Sequence, residues 1–122
     1  MKILSILGTR PEAIKMAPVI KELDKFSHEL TSVICVTGQH RQMLDQVLHL
    51  FDIHPHLDLN LMQPDQRLAT LTARLFEELD RVVEQVRPDW ILAQGDTTTV
   101  FVAAVTAYYH NVRFGHVEAG LR

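Results

Sequence analysis

Several protein classes are excluded by what this sequence lacks. Cys35 is its one cysteine and lies inside an apolar run, so no internal disulfide can form and a reducing cytosol is the expected location. Five glycines and five prolines rule out a collagen-like chain, and no repeat, linker or low-complexity segment interrupts the sequence. No apolar run approaches the roughly 18 residues of a spanning helix, so no membrane partner is expected. Lys2-Ile3-Leu4-Ser5-Ile6-Leu7 runs straight into Gly8-Thr9-Arg10-Pro11, without the layout of a secretory signal. Neither charge dominates: 12 basic against 15 acidic residues leave a net charge of −3 and a pI near 6.1. That balance argues against a nucleic-acid partner while leaving room for a local cationic pocket. The seven histidines are scattered. His40 with His49, and His54 with His56, lack zinc spacing, and Cys35 has no second cysteine, so no metal is expected.

What is present suffices for one domain. The 122 residues are 47% hydrophobic, enough for a sizeable core that excludes a disordered chain and buries roughly two-thirds of the unfolded surface.

Ile3–Leu7 reads as a buried strand that stops at a glycine. Thr9 and Glu12 have capping-box spacing, with Pro11 tolerated in the first turn, and Ile14, Ala17, Ile20 and Leu23 continue a helical face. Pro18, more than one turn in, predicts a kink or distorted turn. Leu30–Val36 is rich in β-branched residues and reads as the second strand. Met43, Leu44, Val47, Leu48 and Phe51 define the second helix, and Met43 and Met62 read as ordinary core residues. Between His54 and Met62, the alternation of Leu57, Leu59 and Leu61 predicts a half-buried or edge strand. Leu68, Leu71, Leu75, Leu79, Val82 and Val86 give the strongest helical period, closed by Pro88. Trp90–Ala93 reads as a strand, and Thr97–Tyr109 as a helix with a small-residue face at Val100, Ala103, Ala104 and Ala107. Val112–Val117 is the last strand. Strand and helix alternate throughout, which predicts an α/β fold: a Rossmann-like, doubly wound parallel sheet covered by helices on both faces. The last strand has no closing helix, so these residues are expected to be the front part of a longer protein.

Ligands of such sheets bind beyond the carboxyl ends of the strands, where three polar clusters fall. In the first, Gly8 permits a close turn, the helix start offers unpaired N–H groups, and Thr9, Arg10 and Lys15 follow. These residues fit a phosphorylated ligand, although Arg10 and Lys15 read equally as solvated surface charges. The glycine pattern is neither a Rossmann fingerprint nor a Walker loop. In the second, Gln94-Gly95-Asp96-Thr97-Thr98-Thr99, Asp96 is placed either to cap the following helix or to act on a ligand. In the third, His116-Val117-Glu118, Glu118 is placed as a general base at the strand end, and His116 reads as a core histidine or a site residue. Gly38-Gln39-His40-Arg41-Gln42 opens the second helix and fits an anion or plain solvent.

The strings themselves carry a closer likeness. Gly8-Thr9-Arg10-Pro11-Glu12-Ala13-Ile14-Lys15-Met16-Ala17-Pro18 resembles the opening of the non-hydrolysing UDP-N-acetylglucosamine 2-epimerases. So do the run from Gln39 to Leu48, Gly95-Asp96-Thr97-Thr98-Thr99, and the run from Gly115 to Arg122. The resemblance implies that residues 1–122 form most of the N-terminal half of a two-domain glycosyltransferase-B-type fold, with a C-terminal nucleotide-binding domain in a later segment. It implies a cytoplasmic, usually homodimeric enzyme without a cofactor, which interconverts UDP-N-acetylglucosamine and UDP-N-acetylmannosamine by elimination and re-addition of UDP. On this resemblance Asp96, Glu118 and Lys15 are catalytic, and Arg10, Gly8, Thr9 and His116 bind substrate. Gln39, His40 and Gln42 resemble residues that hold a second, activating nucleotide sugar in some bacterial members. Gln94 departs from the histidine that many members carry there. The competing expectations are a hydrolysing relative that releases UDP and N-acetylmannosamine, a nucleotide-sugar glycosyltransferase, and a folded fragment inactive by itself.

Overall fold

The structure, a computed structural model, describes residues 1–38, 41–61, 63 and 65–118, and of Arg41 and Met43 the backbone alone. Gln39, His40 and Met62, the side chain of Met43, and the end of the last motif from Ala119 therefore lie outside the described residues.

Five strands, β1 (Lys2–Leu7), β2 (Thr31–Val36), β3 (Leu57–Asp58), β4 (Trp90–Gln94) and β5 (Arg113–Val117), alternate with four helices. The helices are α1 (Arg10–Asp24), α2 (Arg41–Leu50), α3 (Leu68–Val86) and α4 (Thr98–Tyr109). All strand pairs are parallel, in the order β3-β2-β1-β4-β5. The chain starts in the middle of the sheet, builds outward through β2 and β3, and returns along α3 to build the other half. The loops after β1 and β4 therefore diverge at the carboxyl edge, and this reversal of strand order opens a crevice between them.

Two cores sandwich the sheet. Leu7, Ile34 and Val36 pack with Ala13, Met16, Ala17 and Ile20 of α1 and with Leu44, Val47 and Leu48 of α2. On the other face, Leu4, Ile6, Cys35, Ile91 and Ala93 meet Leu75, Leu79, Val82 and Val83 of α3 and Val100, Val102, Ala103 and Ala107 of α4. The two-residue period of the strands sends alternate side chains to opposite cores.

The helices form where the periodicity predicts them. α3 stops because Arg87 turns left-handed (φ 52°) and Pro88 cannot continue the i→i−4 ladder. Pro18 does not interrupt α1, which runs unbroken past it. Its ring is exposed, so water can serve the carbonyl left without an N–H partner. Thr9 is the N-cap of α1, but its side chain makes no capping bond, so the predicted capping box is not formed.

The edge strand is shorter than the alternation predicts. Only Leu57–Asp58 is strand, although Leu59 and Leu61 still donate backbone bonds to Val36 and Thr37 at 2.9 Å. Asn60 (φ 50°) breaks the extended run. Beside it Gly38 (φ +89°) has no room for a side chain, since a Cβ there would lie 2.6 Å from the Asn60 Cα.

Candidate functional site

β1 ends at Leu7, and buried Gly8 leads into extended Thr9 (φ −126°, ψ 167°) before α1 begins. Glu12 lies in the first turn but points inward and is only 2% exposed. Its Oε1 accepts the Gly8 N–H at 3.1 Å. Its Oε2 accepts the Thr9 hydroxyl at 2.6 Å and the Thr97 hydroxyl at 3.0 Å. Instead of a box closed within one helix, the carboxylate ties the loop after β1 to the loop after β4.

The second loop is held from its other side as well. Gly95 takes φ +98°, and a Cβ there would make only an ordinary 3.8 Å contact with Glu12 Cγ. Its left-handed backbone, rather than crowding, is what favours glycine. His116 Nε2 lies 2.6 Å from the Gly95 carbonyl oxygen. A carbonyl only accepts, so Nε2 carries the proton and donates. His116 is at the surface, which removes its reading as a core histidine.

Asp96 lies between these anchored residues and is exposed. It does not cap α4: the N-cap is Thr97, one residue later, and no side-chain capping bond forms. The shift leaves the Asp96 carboxylate outside the helix start, facing water.

Lys15, Gln94, Val117 and Glu118 line one shallow cavity of about 170 Å³ at the carboxyl edge. Lys15 also lines a neighbouring recess of about 490 Å³ with Arg10, Pro11 and Ile14. The structure thus brings Lys15 to both Arg10 and Glu118, joins Gly8 and Thr9 to Thr97 through Glu12, and joins His116 to Gly95. Gln42 is exposed on α2 and belongs to neither cavity. A larger cavity of about 550 Å³ lies at the opposite edge, lined by residues such as Arg87, His110 and Asn111, away from all three motif clusters.

In the sequence Glu12 reads as a local cap and Gln94 only as a departure from the family's histidine, yet Gln94 lines the cavity with Lys15 and Glu118. The signal for Glu12 was its three-residue spacing from Thr9, which does not reveal that Thr97 comes to the same oxygen. Among the described residues no group of three His, Cys, Asp or Glu side chains is placed to hold a metal. Nor is any helix among them long and apolar enough to cross a membrane. Cys35 is inert in position: burial, assisted by the Asp58 carboxylate, pushes its thiol up to about 12.

The sequence pattern of the family described as UDP-N-acetylglucosamine 2-epimerase matches residues 21–122. The chain belongs to that family. A UDP-N-acetylglucosamine 2-epimerase of Neisseria meningitidis is 53% identical over 122 residues, covering 100% of this chain and 32% of the relative. That of Bacillus subtilis is 51% identical with the same coverage. The chain therefore spans about a third of the length of the curated relatives it matches. The epimerase-family fold is equally close in three dimensions. The Neisseria meningitidis enzyme, solved bound to UDP-GlcNAc, superposes with a TM-score of 0.91 at 53% identity, over 100% of this chain and 33% of that one. The Methanocaldococcus jannaschii enzyme, solved in complex with UDP-GlcNAc and UDP, gives 0.90 at 34% identity, also over 100% of this chain and 33% of that one. The family's α/β parallel sheet is therefore the fold of this chain, matching the N-terminal part of those relatives.

Proposed function

We propose that the full-length protein is a non-hydrolysing UDP-N-acetylglucosamine 2-epimerase, with this chain as its N-terminal domain and a C-terminal nucleotide-binding domain closing the cleft. The observation that carries the reading is the convergence of Lys15 and Glu118 on one cavity at the carboxyl edge, beside Arg10. A cation for a departing diphosphate thus sits next to a carboxylate for a sugar proton. Relatives solved with UDP-GlcNAc and UDP support the ligand class.

The reaction asks for two things at once. A base must take the proton from C2 of the sugar as the C1–O bond to UDP breaks, leaving a 2-acetamidoglucal. UDP then adds back to C1 while a proton returns to the other face of C2. Arg10 binds diphosphate oxygens with its planar fork, Lys15 balances charge on the leaving group, and the Gly8–Thr9 turn contributes backbone at the helix start. Asp96 and Glu118, both exposed to an incoming ligand, supply the carboxylates for proton transfer and for positive charge developing at C1. His116 serves substrate binding through the loop it holds. No cofactor enters this chemistry.

The same reading makes the protein a cytoplasmic homodimer. Leu68, Phe101 and Tyr108, exposed on α3 and α4, supply an apolar surface for a second copy. Gln39, His40 and Gln42 belong in it to a second, activating nucleotide-sugar site.

Proton NMR of UDP-N-acetylglucosamine with the full-length protein in deuterated water tests the reaction. The manno-epimer with deuterium at C2 is the expected product. Free UDP accumulating in proportion to N-acetylmannosamine would point to the hydrolysing relative instead, and an unchanged spectrum from folded protein would overturn the epimerase reading.

A further inference from the structure

Glu12 is the one charged side chain in the buried set among the described residues. A carboxylate taken out of water is costly unless hydrogen bonds replace the lost hydration. Three neutral donors do so here: the Gly8 N–H, the Thr9 hydroxyl and the Thr97 hydroxyl. Two belong to the loop after β1 and the third to the loop after β4, across the point where the strand order reverses. A Cβ added at Gly95 would come within 3.8 Å of Glu12 Cγ, so the Glu12 side chain lies close to both loops.

The residues next to those donors are the chemically interesting ones. Arg10 follows Thr9, and Asp96 precedes Thr97; both are exposed. We propose that Glu12 is a positioning residue that clamps the Gly8–Thr9 loop to Thr97 and so sets where Arg10 stands relative to Asp96. For the chemistry that Arg10 and Asp96 serve, the inference rests on the epimerase reading; the clamp itself is a feature of this domain. Elimination needs the leaving diphosphate and the C2 proton engaged on one sugar at the same moment, so the separation of cation and carboxylate matters. A misplacement of about 1 Å in such a geometry costs on the order of a hundredfold in rate.

The test uses the full-length protein with Glu12→Gln, Glu12→Ala and Thr97→Val. A glutamine keeps the clamp without its charge: the amide oxygen accepts the Gly8 N–H, and the NH₂ donates to threonine hydroxyls that turn to accept. Alanine removes every bond, whereas Thr97→Val removes only the link between the loops. Backbone hydrogen exchange over 8–12 and 95–99 reports the clamp; kcat and KM report the chemistry. Glu12→Ala and Thr97→Val are expected to speed exchange in both loops. Glu12→Ala should lower kcat by about a hundredfold with a smaller change in KM, and Glu12→Gln should bring kcat back towards wild type.

Exchange and kcat both unchanged in Thr97→Val would overturn the clamp, and this variant carries the test if Glu12→Ala does not fold. Glu12→Gln as impaired as Glu12→Ala would also overturn it, since charge rather than bonding would then be decisive. Faster exchange in both loops of Glu12→Ala and Thr97→Val, together with a wild-type protein that shows no epimerase turnover, would overturn the reaction reading and leave the clamp standing.

Discussion

His116 donates from Nε2 to the carbonyl oxygen of Gly95 at 2.6 Å, fastening the end of β5 to the loop that follows β4. The bond holds the one left-handed glycine beside Asp96. His116→Ala is expected to cost about 1 kcal/mol, the usual worth of one such hydrogen bond. On the proposed chemistry it also lowers turnover. Thermal unfolding reads the first effect; a melting temperature and a turnover both equal to wild type would show that the bond contributes to neither.

Asp96 and Glu118 are exposed, so removing either charge should leave folding almost untouched. In the full-length protein, Asp96→Asn and Glu118→Gln are expected to lower kcat by about a hundredfold or more, the scale of a lost general acid or base. Near-wild-type turnover in both variants would withdraw their proposed roles.

Arg10 contributes differently. Arg10→Ala is expected to weaken UDP binding by about tenfold or more, the loss of one charge-assisted contact. Titration calorimetry with UDP checks this, and an unchanged Kd would return Arg10 to an ordinary surface charge.

Two glycines with positive φ should respond unequally to alanine. Gly95→Ala meets only an ordinary 3.8 Å contact, so its cost is backbone strain, about 1–2 kcal/mol. Gly38→Ala adds a 2.6 Å approach to the Asn60 backbone, which cannot move aside as a side-chain tip would. It should therefore be the more damaging of the two. Equal midpoints in urea unfolding would contradict the crowding at Gly38.

The Cys35 thiol is pushed from its ordinary 9.0 to about 12 by burial, with Asp58 adding to the effect. Below about pH 9 folded and unfolded chains both hold the proton, and the thiol does not affect stability. Between about pH 9 and 12 only the folded chain keeps it, so the folding equilibrium constant falls by up to about tenfold per pH unit. Urea unfolding at about pH 8 and about pH 10.5 should therefore show a larger loss for wild type than for Cys35→Ala. Equal losses would show that this thiol does not titrate as described.

The alternation of strands and helices was legible in the sequence because each element's signal is local. A helix that buries one face must repeat its apolar residues every three or four positions, as Leu71, Leu75, Leu79 and Val82 do. A strand covered on both faces needs a short β-branched run, as Thr31 to Val36 supply, with the Ile34–Val36 half fully buried. The three polar clusters were legible too, since a parallel sheet with alternating connections puts the end of every strand on one edge.

Only the tertiary structure decided how those clusters join. The spacing of Thr9 and Glu12 is the same for a local cap as for a clamp. What separates them is a hydroxyl 85 positions away, brought in by the return of the chain to β4 beside β1. Likewise Asp96 and Thr97 are both good cap residues, and which one starts α4 depends on how Gly95 is held from β5 and Thr97 from Glu12. Residue type and periodicity determine local structure because they act over a few residues; the partners of a buried carboxylate depend on strand order, which no short window of sequence contains.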